Sequence, residues 1–400
     1  MIPRETIDKI FEIAKIEEVI GDFVSLKKRG VNYLGNCPFH NEKTPSFSVS
    51  PIKGIFKCFG CGKGGNIIKF IMEIEHYSYP EALKYIANKY HIEVIEEELT
   101  ADQKIKKDKK DNHYLIVDFA KDFFKNTLHN NDKGKVGLSY FYERGFNTNI
   151  IELFDLGYSH SNNSIFTNNA IKNGFDKSLL IESGLGIDGN KKIIDRFNDR
   201  IMFPIHSFSG RVLGFGGRAL KKTVKAKYLN SPETLIYHKS KILYGLFQAK
   251  TDIKKEDNCF IVEGYTDVIS MHQKGIRNVV SASGTALSVD QLRLITRITD
   301  NITLMFDGDT SGLKASFKSA IMSLPYLTPS KLLQFVILPY EYDPDTFINA
   351  FSLNKFAKYL KNPLSIVDFI FQESSKSIDL QKPDNKVIYD NYIDELVSNI

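Results

Sequence analysis

The sequence predicts a multidomain protein that combines α+β and α/β architecture and ends in helices. Three observations carry this expectation. Near the N-terminus, Cys37-Pro38-Phe39-His40 and Cys58-Phe59-Gly60-Cys61 form two knuckles with two-residue spacers, a pattern suited to a small metal-held ribbon. In the middle, residues 191–250 contain thirteen Lys or Arg against three Asp or Glu, an excess of ten in a chain whose net charge is +5. Further on, two apolar runs, Phe260-Ile261-Val262 and Ile302-Thr303-Leu304-Met305-Phe306, stop at Glu263-Gly264 and Asp307-Gly308-Asp309. A helical pattern follows each run, and such strand–turn–helix units build a parallel, Rossmann-like sheet.

Composition sets the outer bounds. A length of 400 residues suggests two to four domains, and 42% hydrophobic with 25% charged residues is ordinary for a globular chain. No apolar run reaches the length of a membrane span, and Met1-Ile2-Pro3-Arg4 lacks a signal-peptide layout. The expectation is a cytoplasmic protein with no membrane partner. Four cysteines make no disulfide framework at this length, and Cys259 reads as a packed thiol in a strand.

Taken in order, residues 3–20 read as one helix, with Pro3 at its start and Ile7, Ile10, Phe11 and Ala14 on one face. Seventeen residues separate the two knuckles, which is hairpin length, and Ser46 to Val49 alternate like a strand. Cys37, His40, Cys58 and Cys61 are the candidate ligands of one structural, tetrahedral Zn²⁺. Lys27, Lys28, Arg29, Tyr33, Phe39, Lys43, Phe47, Lys53, Phe56, Lys57 and Phe59 interleave cations with rings, which suits unpaired bases and phosphates. About half of these rings are expected to fill the small core instead.

Helices are expected from Asn66 and from Tyr79, and the zinc-binding domain is placed at 1–98. The run 104–111 is dense in alternating charge, so 99–112 reads as a solvated helix end or linker. From His113 a helical pattern resumes with Leu115, Phe119, Phe123 and Leu128, and a later helix stops at Gly145. Strands are expected within 195–205 and 212–217. The glycines of Gly214-Phe215-Gly216-Gly217 read as part of a hairpin, since no lysine-serine and no helix follow. This basic subdomain is placed at 113–250, the parallel-sheet domain at 251–345, and a helical segment at 346–400.

Ligands of open parallel sheets bind beyond the carboxyl ends of the strands. Glu263, Asp307 and Asp309 would stand there. Carboxylates gathered this closely repel each other, and a hard divalent cation is the natural compensation. Asp267 and Asp309 also occupy positions from which they would simply cap the following helices. A further pair, Asp343-Pro344-Asp345, follows the strand-like run 332–338.

Glu-Gly-x-x-Asp at 263–267 and Asp-x-Asp at 307–309 resemble the Toprim signature, shared by bacterial primases, topoisomerases and some nucleases. Asn36-Cys37-Pro38-Phe39-His40-Asn41-Glu42-Lys43-Thr44-Pro45-Ser46-Phe47 resembles the zinc ribbon at the N-terminus of bacterial replicative primases of the DnaG type. Asp195-Arg196-Phe197, Phe215-Gly216-Gly217-Arg218 and Lys227-Tyr228-Leu229-Asn230-Ser231-Pro232-Glu233-Thr234 resemble the basic subdomain of the same family, in the same order. The resemblance spans about residues 1–370. It implies a metal-dependent nucleotidyltransferase that makes RNA primers on single-stranded DNA from ribonucleoside triphosphates. It implies catalytic acids at Glu263, Asp307 and Asp309, helped by Mg²⁺ or Mn²⁺, with Asp267, Asp343 and Asp345 as additional acids. It places Arg144, Arg218, Lys227 and Lys239 at positions that meet template or nucleotide phosphates. Work at replication forks, close to the nucleoid, is implied too, along with a monomeric state. Family members continue into a helical region that docks on the replicative helicase, so the last helix near Ile400 reads as a truncation. The alternatives are a Toprim nuclease or topoisomerase, and a non-catalytic zinc-ribbon protein that binds single strands.

Overall fold

The structure is a computed structural model. It describes residues 2–75, 77–94, 101–130, 132–190, 192–221, 223–283, 286–328, 331–351, 353–376 and 381–398. The expected passage from zinc domain to linker at 95–100, Lys222 of the basic segment and the chain end at Ile400 lie outside them. Two compact units result, residues 1–106 and 107–400.

The first unit holds an antiparallel sheet whose five strands follow chain order: Lys27–Arg29, Asn32–Gly35, Phe47–Ser50, Ile55–Cys58 and Gly64–Asn66. Register separates its faces. Val49 pairs with Tyr33 and Phe56, and this row turns inward. Phe47 and Phe56 stack at 5.3 Å, and Phe70 meets Phe56 edge-on at 5.4 Å. The rows between them put Lys27, Arg29, Ile55 and Lys57 outward, all exposed. The expected helix at 3–20 is two helices, Arg4–Ile13 and Ile16–Gly21, because Ala14 and Lys15 are extended. The break resets the register so that Ile16, Val19 and Ile20 bury together, while Phe11 remains 42% exposed. The later helices are Ile67–Ile74, capped by the Asn66 side chain, and Tyr79–Lys89.

The helix Ala101–Asn130 includes the charged run, whose described side chains at 104–112 are exposed. Its core-facing side is rotated from the expected one. Leu115 is 62% exposed, and Ile116, Val117, Ala120, Phe124 and Leu128 are buried.

Two larger sheets and the two-stranded ribbon Gly186–Asp188 with Ile193–Asp195 lie in the second unit. The four-stranded sheet runs Tyr228–Asn230, Val212–Ala219, Arg200–His206, Gly157–Ser159, with antiparallel pairing throughout. The glycine run 214–217 is thus a hairpin strand. The five-stranded sheet runs Val279–Ser281, Cys259–Val262, Asn301–Leu304, Leu332–Phe335, Leu364–Ser365. Its first four strands are parallel, and the last, short edge strand is antiparallel.

Alternation along these strands divides the interior. Cys259, Ile261, Leu304, Leu333 and Phe335 enter one core, where Phe335 stacks on Phe369 at 4.1 Å. Val262, Met305 and Val336 enter another, shared with Tyr265 of the same half and with Phe203 and Phe215 of the basic half. One apolar core therefore joins the two sheets, and the helix Leu246–Glu256 runs straight through position 250. The helix Thr310–Ser323 turns Gly312, Ser316, Ser319, Ala320 and Ser323 to the core. Leu313, Phe317 and Ile321, its larger apolar side chains, are only partly buried. Small residues let that helix lie close to the sheet.

Candidate active site and metal centre

The knuckle cysteines and histidine converge because strands Phe47–Ser50 and Ile55–Cys58 pair Phe47 with Cys58, which brings the two turns side by side. The ligand atoms of Cys37, His40, Cys58 and Cys61 all lie within 4.8 Å of one another. Cys37 Sγ is 3.8 Å from Cys61 Sγ, and Cys58 Sγ is 3.9 Å from His40 Nδ1. A tetrahedron with metal–sulfur bonds of about 2.3 Å has a sulfur–sulfur edge of about 3.8 Å. The set fits Zn²⁺.

Neighbours already serve these ligands. The backbone N–H groups of Phe39 and Cys61 donate to Cys37 Sγ and Cys58 Sγ, both at 3.4 Å. Burial pushes the Cys37 thiol up to about 12. Burial acts the same way on Cys58, but the Ser46 hydroxyl and the Cys61 amide outweigh it and hold that thiol at about 6. Glu42, absent from the sequence candidates, ties the site together. Its carboxylate accepts from the amides of Cys37 (2.7 Å) and Ser46 (3.1 Å) and from the Ser46 hydroxyl (2.5 Å). It also lies 3.3 Å from His40 Nε2. Ser46 Oγ in turn sits 3.2 Å from Cys58 Sγ. One carboxylate thereby reaches the surroundings of three ligands.

In the second unit, the segments that follow three parallel strands bring Glu263, Asp307 and Asp343 close enough for their charges to act on one another. The backbone N–H of Asp307 donates to Glu263 Oε1 at 3.1 Å. Gly312 permits this approach, since a Cβ there would lie 2.6 Å from Glu263 Oε1 and 2.2 Å from the Asp307 carbonyl. Asp309 is exposed and caps the helix Thr310–Ser323 by accepting from the Gly312 amide at 2.8 Å. Asp343 caps the helix Pro344–Ala350 through the Thr346 amide at 2.7 Å. Asp267 is buried, accepts from the Gly264 amide at 2.8 Å and from the Asp345 amide at 3.3 Å, and so links two of the loops.

The electrostatics are those of an uncompensated cluster. Burial, then Glu263, Asp343 and Asp309, raise Asp307 to about 7. Burial, then Asp309 and Asp343, raise Glu263. Burial, then Asp343 and Asp307, raise Asp267 well above the usual carboxylate range. Asp307 Oδ1 is buried with no hydrogen-bond partner among the described residues. A buried acceptor left unsatisfied needs a reason, and a bound cation is one. Hard carboxylate oxygens at a strand edge are the donor set of Mg²⁺ or Mn²⁺ sites, and the residues present fit such an ion.

Asp345 differs from the others. It is 5% exposed, pairs with Arg144, and accepts from the Ser270 hydroxyl and from Asn349 Nδ2 (2.9 Å). Arg144 is thus tied to the acid side. Its guanidinium and that of Arg218 flank the Tyr140 ring, 5.3 and 4.6 Å from its centroid. Arg218 Nε is buried and has no partner among the described residues. Lys227 is exposed, 5.9 Å from the Tyr228 ring centre. Lys239 lies on a turn whose backbone is held by Glu233 (2.9 Å) and Gln291 (3.3 Å). Acids and arginines share one region of the second unit, Lys227 lies on the hairpin next to Tyr228, and Lys239 on its own turn.

Comparison with known proteins gives this arrangement a lineage. Residues 2–102 match the family described as CHC2 zinc finger, 123–250 the DNA primase catalytic core N-terminal domain, and 260–348 the Toprim-like family. The DNA primase of Clostridium acetobutylicum is 38% identical over the whole of this chain, which spans 66% of that relative's length. The crystal structure of the Aquifex aeolicus primase, comprising its zinc-binding and RNA polymerase domains, is 35% identical with a TM-score of 0.58. The match covers 90% of this chain and 85% of that one. A DnaG primase catalytic domain bound to single-stranded DNA is 32% identical with a TM-score of 0.68, over 73% of this chain and 91% of that one. The chain belongs to the DnaG-type DNA primase family.

Proposed function

We propose that the protein synthesises short RNA primers on single-stranded DNA, joining ribonucleoside triphosphates by metal-dependent nucleotidyl transfer. The observation that carries this is the buried, unpartnered Asp307 oxygen among Glu263, Asp309 and Asp343, in the same region as the Arg144–Arg218 pair. Glu263, Asp307 and Asp309 would hold Mg²⁺ or Mn²⁺, which supplies charge stabilisation for the attacking and leaving oxygens. Asp267 keeps the loops carrying Glu263 and Asp345 in register. Asp343 adds negative potential to the same edge, which strengthens cation binding. Arg144, fixed by Asp345, and Arg218, fixed against Tyr140, orient triphosphate or template phosphates, and Lys227 and Lys239 extend the track.

Cys37, His40, Cys58 and Cys61 would hold one structural Zn²⁺. That ion keeps the ribbon rigid, so that Lys27, Arg29, Lys57 and the 76% exposed Phe59 can meet template phosphates and bases. Residues 1–98 would select the start site, 113–250 would guide template, and 251–345 would carry the chemistry. The relative with DNA bound supports a single-stranded template. The proposed setting is the replication fork in the cytoplasm, with the replicative helicase as partner through a further C-terminal region.

The test is incubation with single-stranded template, four ribonucleotides and Mg²⁺ or Mn²⁺. Short RNA that disappears in Asp309→Ala supports the reading. Nicked or relaxed plasmid without RNA would replace it with the nuclease or topoisomerase alternative.

A further inference from the structure

Lys225 and Lys227 of the basic segment sit on a stretch of chain that a buried arginine holds. The strand Tyr228–Asn230 pairs back on the strand Val212–Ala219, and residues 223–227 lead into it. Arg200, at the start of the neighbouring strand, is 6% exposed. Its Nη1 donates to three carbonyls: Gly217 at 3.1 Å, Ala226 at 3.0 Å and Lys227 at 3.3 Å. Burial lowers its pKa, and no acid counters that shift. Burying a charge is unfavourable unless polar groups replace its water, and here backbone carbonyls take the place of a carboxylate. The side chain also needs a passage. A Cβ on Gly217 would lie 2.8 Å from the Phe197 ring and 3.0 Å from Arg200 Cδ.

The preceding residue holds a point earlier in the chain. Asp199 has φ +50° and makes two contacts. One oxygen pairs with Lys221 at 2.9 Å, and the other accepts from the Tyr158 hydroxyl at 2.6 Å. Two consecutive residues therefore anchor the chain at 221 and at 226–227, and Lys225 and Lys227 are exposed. An apolar residue of similar volume would fill the Arg200 site more cheaply if packing were its sole task. A cation that accumulates carbonyls from both sides of a loop fixes the loop's shape.

We propose that Arg200 is a positioning residue, whose guanidinium clamps the 223–227 segment so that Lys225 and Lys227 meet successive phosphates of a single strand. This rests on the reading that the chain binds single-stranded DNA. Arg200 itself is too buried to touch a phosphate, so its effect on binding runs through the lysines.

The full chain, labelled oligo-dT and a salt series test this. For single strands, log K falls with log salt at about 0.7 per phosphate contact. Arg200→Met is expected to weaken binding about tenfold and to flatten the slope by roughly 0.7 to 1.4, one or two contacts. Lys227→Ala should flatten it by about 0.7, and the double variant should be little weaker than Arg200→Met alone. Hydrogen exchange of the 223–228 amides, read without DNA, should speed up in Arg200→Met. Arg200→Lys, whose ammonium ends one bond short of the Nη1 position, should fall between and decides the matter if the methionine variant does not fold. A folded variant with wild-type slope, additivity with Lys227→Ala, or unchanged exchange would overturn the clamp. Failure of the wild-type chain to bind the oligonucleotide would instead remove the functional reading, and the exchange data would still judge the clamp.

Discussion

The two ligand clusters differ in how their charge is compensated. In the knuckle site two of the three cysteine sulfurs already have a donor: Phe39 N–H on Cys37, and Cys61 N–H on Cys58 with Ser46 Oγ beside it. Glu42 fastens the whole arrangement. Four ligands surround one point and leave no open position, as in a structural metal site. In the acid cluster the compensation is incomplete. Asp307 Oδ1 has no partner among the described residues, and Asp309 is exposed. A surrounded ion holds a shape, and an open set of carboxylates is available for chemistry.

Metal removal is the largest expected perturbation that separates the two. Structural zinc contributes roughly 10 kcal/mol or more to small domains of this kind. Stripping zinc from the full chain should abolish hydrogen-exchange protection in residues 24–74 and leave the 259–335 strands protected. Retained protection in the ribbon would make the knuckles dispensable. Next comes Asp307→Asn. Removing one preorganised electrostatic contact to a reacting centre typically lowers turnover by about 100- to 1000-fold. Primer yield should fall by that order while single-strand affinity stays within about twofold. A loss of binding equal to the loss of yield would recast Asp307 as a template contact.

The same contrast explains what was legible beforehand. The zinc ligands could be read because both knuckles are local turns and one antiparallel pairing, Phe47 with Cys58, joins them. The acids could be read because Glu263 and the Asp307–Asp309 pair each follow a buried parallel strand. What escaped depends on contacts between distant or conformationally specific groups. Arg144 and Asp345 are 201 positions apart, and nothing local to either marks the ion pair. Glu42 acts through the turn geometry that aims it at Ser46 and His40, which spacing does not reveal. Helix faces slipped where small or polar residues compete with apolar ones. The helix Thr310–Ser323 buries Ser316 and Ser319 for close approach to the sheet and turns Phe317 partly outward. Residues 3–20 split because unbroken helical periodicity would not put Ile16 on the side of Ile10, and extended backbone at Ala14 and Lys15 solves that.

Glu42 offers a smaller, graded test of the knuckle side. Groups that orient metal ligands typically alter affinity by about 10- to 100-fold. Glu42→Gln should release zinc to a chromophoric chelator faster by about that factor, with the ribbon still folded at saturating zinc. An unchanged release rate would reduce Glu42 to a turn-former.

The gentlest discriminator is the pH dependence of stability without divalent metal. The folded state raises Asp307 to about 7 from an ordinary value of 3.8, and raises Glu263, Asp267 and Asp345 in the same direction. A carboxyl with a raised folded pKa favours the folded state below its unfolded pKa, and that contribution is lost as pH rises through the folded value. The metal-free protein should therefore lose stability as pH rises from about 4 through about 7, where Asp307 ionises. For Asp307 the loss is on the order of 1–3 kcal/mol once its partial exposure is allowed for. Asp307→Asn carries no charge to repel, so it should melt higher than wild type at pH 8 without metal and about equally at pH 5. Millimolar Mg²⁺ should raise the wild-type melting temperature at pH 8, where the carboxylates are ionised, and do little at pH 5. If Asp307→Asn is instead less stable at pH 8, Asp307 makes a favourable contact in the folded protein, and the acid cluster is as well compensated as the knuckles.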